Sequence, residues 1–149
     1  MDRLNRPPRL ARALIPLILV ATLFAPLAYG KQCTMSEANA AEAGIDHLDS
    51  WGSVDLAYRK YGHCDDGGIA EGYSEAVARL LVDRWDTLPD LAALIRRNPP
   101  LRGFVLRHID ATLDARDIDR IEALATTSCL PSLKSLCRTL KKAASNATR

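Results

Sequence analysis

Beyond residue 35 the apolar residues recur at intervals of three and four, which is the spacing of one face of an α-helix. The longest such stripe runs from Ile69 to Leu88, and we expect all of it, Trp85 included, to face the core. No segment alternates apolar and polar residues over five positions, so the sequence predicts no β-strand. The stripe consists of Ile69, Tyr73, Ala76, Val77, Leu80, Leu81, Trp85 and Leu88.

Residues that favour helix ends divide this pattern into short helices. A first helix is predicted to begin at Ser36 and to continue as far as Gly62, where glycine favours a stop. Later helices are predicted to open near Thr87 and at Asp114, and the Asn-Pro-Pro segment 98–100 breaks the chain between them. The fold class that follows is all-α, a compact bundle of about six short helices pinned by two disulfides.

The first thirty residues have the composition of a secretory signal peptide. A basic segment comes first, an almost wholly apolar run follows over 13–28, and the small residues Ala28 and Gly30 stand where a signal peptidase cleaves. Residues 1–30 therefore predict a periplasmic or secreted protein. The basic residues are Arg3, Arg6, Arg9 and Arg12.

An uncleaved membrane anchor is the alternative interpretation of this segment. The apolar run is shorter than the ~20 residues that a spanning helix needs. Pro16 and Pro26 also interrupt it, so cleavage is favoured and no stable membrane insertion is expected afterwards. The helical domain is predicted to span residues 31–142, and the small, polar residues 143–149 are predicted to form a disordered tail.

Removal of the signal peptide changes the charge of the chain. Residues 31–149 carry 16 Lys/Arg and 17 Asp/Glu, a net charge of −1, which gives no electrostatic support for a nucleic-acid partner. The distribution is uneven, because residues 31–90 have a net charge of −7 and residues 91–149 one of +6. The two halves either attract each other within the fold or present oppositely charged surfaces that steer a protein partner.

All four cysteines lie in the part of the chain that would be exported, and an even number there predicts two disulfides. Cys129 and Cys137 flank a short turn between helices, so we predict that they pair, which leaves Cys33 to pair with Cys64. The sequence contains no C-x-x-C motif and no residue set that suggests a metal or a cofactor, and we expect neither.

Some polar residues invite a catalytic interpretation. Segment 72–76 differs at one position from the G-x-S-x-G motif of α/β-hydrolases, but its helical spacing argues against a catalytic Ser74. His108 lies on the apolar side of its helix, which indicates a core histidine with satisfied hydrogen bonds. Asp65 or Asp66 is placed to cap the following helix, a better explanation of the acidic turn than a metal site.

The polar turn 63–68 supports the alternative function, a small cell-envelope hydrolase. Its candidate catalytic groups are Glu71, His63 and Asp66, provided that they share a cleft. Glu71 and Glu75 lie one helical turn apart, but a solvated helix face explains this pair better than a catalytic carboxylate pair does. We therefore assign no catalytic residue.

A protein-binding function in the cell envelope is the one we favour. Arg96, Arg97 and Arg102 surround the proline corner at 98–100 and are the candidate partner contacts. As a small, exported, disulfide-bonded helical protein, the chain resembles the periplasmic immunity proteins that bind and block secreted cell-wall amidases. That resemblance rests on size, export and helicity, and it implies a binding module such as an inhibitor.

The predicted cleavage can be tested by intact-mass analysis of the exported protein. We expect the mature chain to begin near Lys31, because Ala28 and Gly30 provide the small residues that the peptidase requires. Recovery of the full-length chain from the membrane pellet would contradict this expectation.

Overall fold

A computed structural model describes residues 30–148, and seven α-helices occupy most of that range. No strand occurs between residues 30 and 148, so the predicted all-α class is confirmed. The predicted signal peptide lies outside the described residues except for Gly30. The helices are α1 (Met35–Glu42), α2 (Trp51–Tyr61), α3 (Gly67–Asp83), α4 (Leu88–Arg97), α5 (Pro100–Arg107), α6 (Ala115–Thr127) and α7 (Lys134–Ala147).

Helix α3 lies at the centre of the fold. Between residues 72 and 81 only Glu75 and Arg79 are exposed, and the other residues pack against α1, α2 and α6. The exposed positions follow one another every four residues from Glu71 to Asp83, so a single narrow stripe of α3 faces solvent. A helix buried on this much of its surface gives the bundle its core.

The long first helix predicted from Ser36 is interrupted in the structure, which explains why seven helices are found rather than about six. Thr34, not Ser36, caps α1, and α1 ends before Gly44. Ser50 then opens α2, accepting a hydrogen bond from the Ser53 backbone N–H while Ser53 Oγ accepts one from the Ser50 N–H. This reciprocal cap starts a new helix where the apolar spacing alone predicted continuation.

Trp85 does not belong to the buried stripe of α3, but it packs half-buried against the core, so its predicted core position is confirmed only in part. The helix ends at Asp83, and Trp85 lies in the 3-10 turn that follows. There it is half-buried, and its indole Nε1 donates a hydrogen bond to the Ser128 carbonyl oxygen over 3.0 Å. Trp51 at the start of α2 is the buried indole, and its Nε1 donates to Thr87 Oγ1.

The C-terminal residues continue α7 instead of leaving the domain at residue 142. Leu136, Leu140 and Ala144 are buried at intervals of four, and α7 packs along α6. The segment predicted as a disordered tail is thus helical as far as Ala147, because the small Ala144 continues the apolar stripe of α7. The small and polar residues of segment 143–149 had suggested disorder instead.

Both predicted disulfides are present. Cys33 joins Cys64 with 4.9 Å between the Cα atoms, and Cys129 joins Cys137 with 6.2 Å between them. Two disulfides in so small a domain indicate an oxidising compartment. No helix within residues 30–148 is long and apolar enough to cross a membrane.

Close packing between α3 and the 3-10 turn Ile45–His47 requires a glycine at position 72. A Cβ atom added to Gly72 would lie 2.4 Å from Ile45 Cδ1 and 2.8 Å from Ile45 Cγ2. Gly68, in the same helix, has no atom within 4 Å of such a Cβ. Gly68 and Gly72 therefore differ in what a methyl group would meet.

We expect Gly72→Ala to destabilise the protein by about 1–3 kcal/mol, because the added methyl overpacks the contact with Ile45. Urea unfolding measures the change, and Gly68→Ala, which should be neutral or slightly stabilising, is the matched control. In the double variant with Ile45→Ala, the cost of the Gly72 substitution should largely disappear. Additive costs would show that Ile45 is not the constraint.

Candidate functional site

The acidic turn after α2 contains two neighbouring carboxylates, Asp65 and Asp66, which make different contacts. Asp66 is the N-cap of α3, and its Oδ1 accepts a hydrogen bond from the Gly67 backbone N–H over 2.8 Å. Gly67 has a φ of +52°, in the left-handed region that favours glycine. The predicted capping role is confirmed for Asp66, and Asp65 is left free to turn inward.

Asp65 lies at the centre of a polar cluster beneath the turn. Its Oδ2 accepts hydrogen bonds from Arg107, over 2.8 Å and 3.1 Å, and lies 3.2 Å from His108 Nε2. Burial alone would raise the pKa of Asp65, but the hydrogen bonds from His108 and Arg107 outweigh it, and the pKa lies below its usual value. The carboxylate is therefore held in its charged form.

His108 extends this cluster to the central helix. Its Nδ1 lies 3.0 Å from Ser74 Oγ, in the middle of α3. A carboxylate can only accept, so His108 Nε2 donates to Asp65 Oδ2, while Ser74 Oγ also lies 3.0 Å from the Ala70 carbonyl oxygen, a second acceptor for its single proton. The ring also packs edge-on against Phe104, with 4.4 Å between ring centroids.

Two further groups border the cluster. Asp110 accepts hydrogen bonds from the backbone N–H and the hydroxyl of Thr112, and its Oδ2 lies 3.4 Å from Ser74 Oγ. Burial tends to raise the pKa of Asp110, but the bonds from Thr112 prevail and lower it. The pKa of Tyr73 is raised to about 12, first by burial and then by the negative charge of Asp65.

Ser74, His108 and Asp65 are the same three residue types that form the catalytic triad of serine hydrolases, but all three side chains are buried. Ser74 is 2% exposed and His108 3%, and the side chain of Asp65 is 7% exposed. A nucleophile has to touch the carbon that it attacks, and in this conformation Ser74 Oγ is covered by protein. The prediction of a core histidine at 108 is confirmed by its burial, and that Ser74 is not catalytic stays a prediction.

The three candidate hydrolase residues lie in different environments. Asp66 caps α3, Glu71 is exposed on the solvent stripe of α3, and His63 lies in a 3-10 turn with its Nε2 3.3 Å from Glu37 Oε1. Glu71 and Glu75 line a groove of about 590 Å³ between α3 and the start of α6. Within residues 30–148, no group of three or more His, Cys, Asp or Glu side chains is arranged to hold a metal ion.

The structure brings together two of the three candidate partner contacts. Arg96 and Arg102 line one cleft between α4 and α7, and Arg102 Nη2 lies 3.4 Å from Ser135 Oγ. Arg97 borders two other grooves, one beside Trp51 and the other beside Asp55. Arg97 therefore does not share the cleft that Arg96 and Arg102 line.

Comparison of the chain with protein-family models, with curated proteins and with solved structures gives no match. Its function has to be inferred from the burial, charge and shape of the clusters and clefts described above.

The role of Asp65 can be tested with Asp65→Asn. At pH 7 we expect a loss of about 2–3 kcal/mol, because His108 and Arg107 lose a charged acceptor. The pKa of Asp65 is lowered on folding, so this stability is present above the unfolded pKa of about 4 and is lost as the pH falls through the folded value. Denaturant unfolding of both proteins from pH 7 to pH 3 should show the difference shrinking.

Asp66→Asn is the matched control, because asparagine also caps helices well and the change should cost little at any pH. A difference between wild type and Asp65→Asn that stays constant down to pH 3 would show that the carboxylate charge is not the stabilising feature.

Proposed function

We propose that this protein is exported to the periplasm or secreted, and that it acts by binding another protein, as an inhibitor does. Its two disulfides suit an oxidising compartment, and the sequence predicts a signal peptide ahead of them. The buried Ser74 and His108 favour a binding function over hydrolysis, because neither can touch a substrate in this conformation.

The Arg96–Arg102 cleft carries the proposal. Four apolar side chains line it together with the exposed Arg96 and the half-buried Arg102, and this mixture of apolar and arginine side chains is typical of protein interfaces. Arg102 lies against Ser135 at the start of α7, which reduces the side-chain entropy lost when a partner binds. The four apolar side chains are those of Ala92, Ile95, Leu133 and Leu136.

The surface beside the cleft adds apolar area. Leu130, just ahead of the 3-10 turn Pro131–Leu133, is half exposed, and Leu133 of that turn lines the cleft. An exposed leucine three residues ahead of a leucine that lines the arginine-containing cleft suits a partner segment that combines an apolar anchor with acidic residues. The sign of the charge in the second half of the chain, +6, supports such a partner.

A small hydrolase remains the second candidate function, with Glu71, His63 and Asp66 as its groups. The acidic groove beside α3 is the observation in its favour, because Glu71 and Glu75 line it and are exposed. His63 and Asp66 are absent from the lining of that groove. Binding therefore has the stronger geometric support.

The test requires a partner captured on the immobilised protein from the envelope fraction and then purified. We expect Arg96→Gln combined with Arg102→Gln to slow association several-fold at low salt and much less at high salt, because exposed charges act on the encounter rate. Stopped-flow or surface-based kinetics give both rates, and thermal unfolding verifies that the variant is folded.

Arg97→Gln is the matched control, since Arg97 is equally close in sequence but lies outside the cleft. An on-rate that falls as much for Arg97→Gln as for the double variant would show that the cleft is not the contact. An unchanged on-rate for the double variant would have the same meaning.

A further inference from the structure

A second, cationic cleft lies on the other side of the Asn-Pro-Pro corner, between α2 and α5. It has a volume of about 500 Å³, within the range of small-molecule sites. Neither Arg96 nor Arg102 contributes to it, so it is distinct from the proposed protein contact. Its lining consists of Tyr58, Arg59, Gly62, His63, Asn98, Pro100 and Arg107.

Two Arg–Asp ion pairs flank the cleft, and in both of them the arginine is the exposed partner. Arg59 Nε lies 3.1 Å from Asp55 Oδ2, and Arg107 Nη2 lies 2.8 Å from Asp65 Oδ2. The carboxylate side chains are only 8% and 7% exposed, whereas the guanidinium side chains are 58% and 53% exposed. Both pairs therefore place the anion inside and the cation outside, beside the cleft.

The inner carboxylates hold the guanidinium groups without using all of their donors. Arg107 uses Nε and Nη2 on a single oxygen of Asp65, and the guanidinium has five N–H donors in all. In the Arg59–Asp55 pair, the carboxylate oxygen that does not face Arg59 accepts a hydrogen bond, because Asn98 Nδ2 donates to Asp55 Oδ1 over 2.7 Å. Two oriented cations with unused donors thus remain available to a ligand.

The apolar wall of the cleft is fixed as well. The ring of Tyr58 packs on Phe104 with 4.7 Å between centroids, and Arg107 lies over the same Phe104 ring at 5.1 Å. A Cβ atom at Gly62 would lie 2.7 Å from Tyr58 Cδ2, so glycine permits this ring position. A flat apolar surface therefore adjoins the two guanidinium groups.

We propose that this cleft binds an organic carboxylate whose apolar body lies against Tyr58 and Pro100. A planar carboxylate matches the donors of a guanidinium group, and the aromatic wall provides burial for a ring or chain. Asp55 and Asp65 behind the arginines carry as many charges as the two guanidinium groups, so the cleft presents exposed cations but little net positive charge. A singly charged carboxylate therefore fits the cleft better than a phosphate does.

Benzoate is a suitable probe, with the neutral isostere benzamide as its comparison. In a ¹⁵N-labelled sample of the disulfide-bonded protein at pH 7, we expect benzoate to shift the Nε–Hε resonances of Arg59 and Arg107 and the amide of Gly62 with millimolar affinity. Benzamide should bind at least tenfold more weakly, because it lacks the charge that the guanidinium groups recognise.

Variants locate the site. Arg59→Gln removes an exposed cation, and Arg107→Lys keeps a charge beside Asp65 but loses the planar donor fork, so each should weaken benzoate binding at least fivefold. Arg120→Gln, which changes an exposed arginine of α6 outside the cleft, should leave the affinity unchanged. Thermal unfolding verifies that each variant is folded.

Several results would overturn the proposal. These are the absence of any benzoate-induced shift at tens of millimolar, equal binding of benzamide, unchanged affinity in both cleft variants, or shifts confined to residues outside the cleft. Inorganic phosphate that binds to the same resonances more tightly than benzoate would show that the site takes a more highly charged anion instead.

Discussion

Asp65 places a carboxylate in the interior, and a buried anion is tolerated only where donors surround it. Arg107 and His108 donate hydrogen bonds to Asp65 Oδ2, and the other ring nitrogen of His108 contacts Ser74 Oγ in α3. The turn after α2, the centre of α3 and the end of α5 are thereby fixed together. Loss of Asp65 would leave both Arg107 and His108 without their carboxylate acceptor, so the contact between these three segments depends on this one side chain.

The same carboxylate bears on the uneven charge of the chain. Among the ion pairs of residues 30–148, those of Asp65 with Arg107 and His108 connect the acidic first half to the basic second half. The remaining pairs, such as Arg59 with Asp55, join residues of one half. The ion pairs between the two halves therefore all meet at the buried Asp65. The other charged side chains lie mainly at the surface, where the two clefts described above are found.

Local chemistry explains how much of this could be predicted. The caps at Asp66 and Asp114 involve bonds to backbone groups one or two residues away, so the sequence showed where those helices begin. The Ser74–His108 contact joins residues 34 apart, and no local pattern indicates which buried polar groups will meet. Trp85 fitted the apolar spacing but falls beyond the end of α3, since periodicity alone does not mark where a helix stops.

The disulfides join consecutive cysteines: Cys33 with Cys64, then Cys129 with Cys137. A chain that enters an oxidising compartment with its N-terminus first exposes these thiols in that order. Each cysteine that waits for the next thiol to arrive forms a native pair, so vectorial oxidation reaches the native connectivity without a scrambled intermediate. On the proposed export route, native pairing would need a thiol oxidase and little help from a disulfide isomerase.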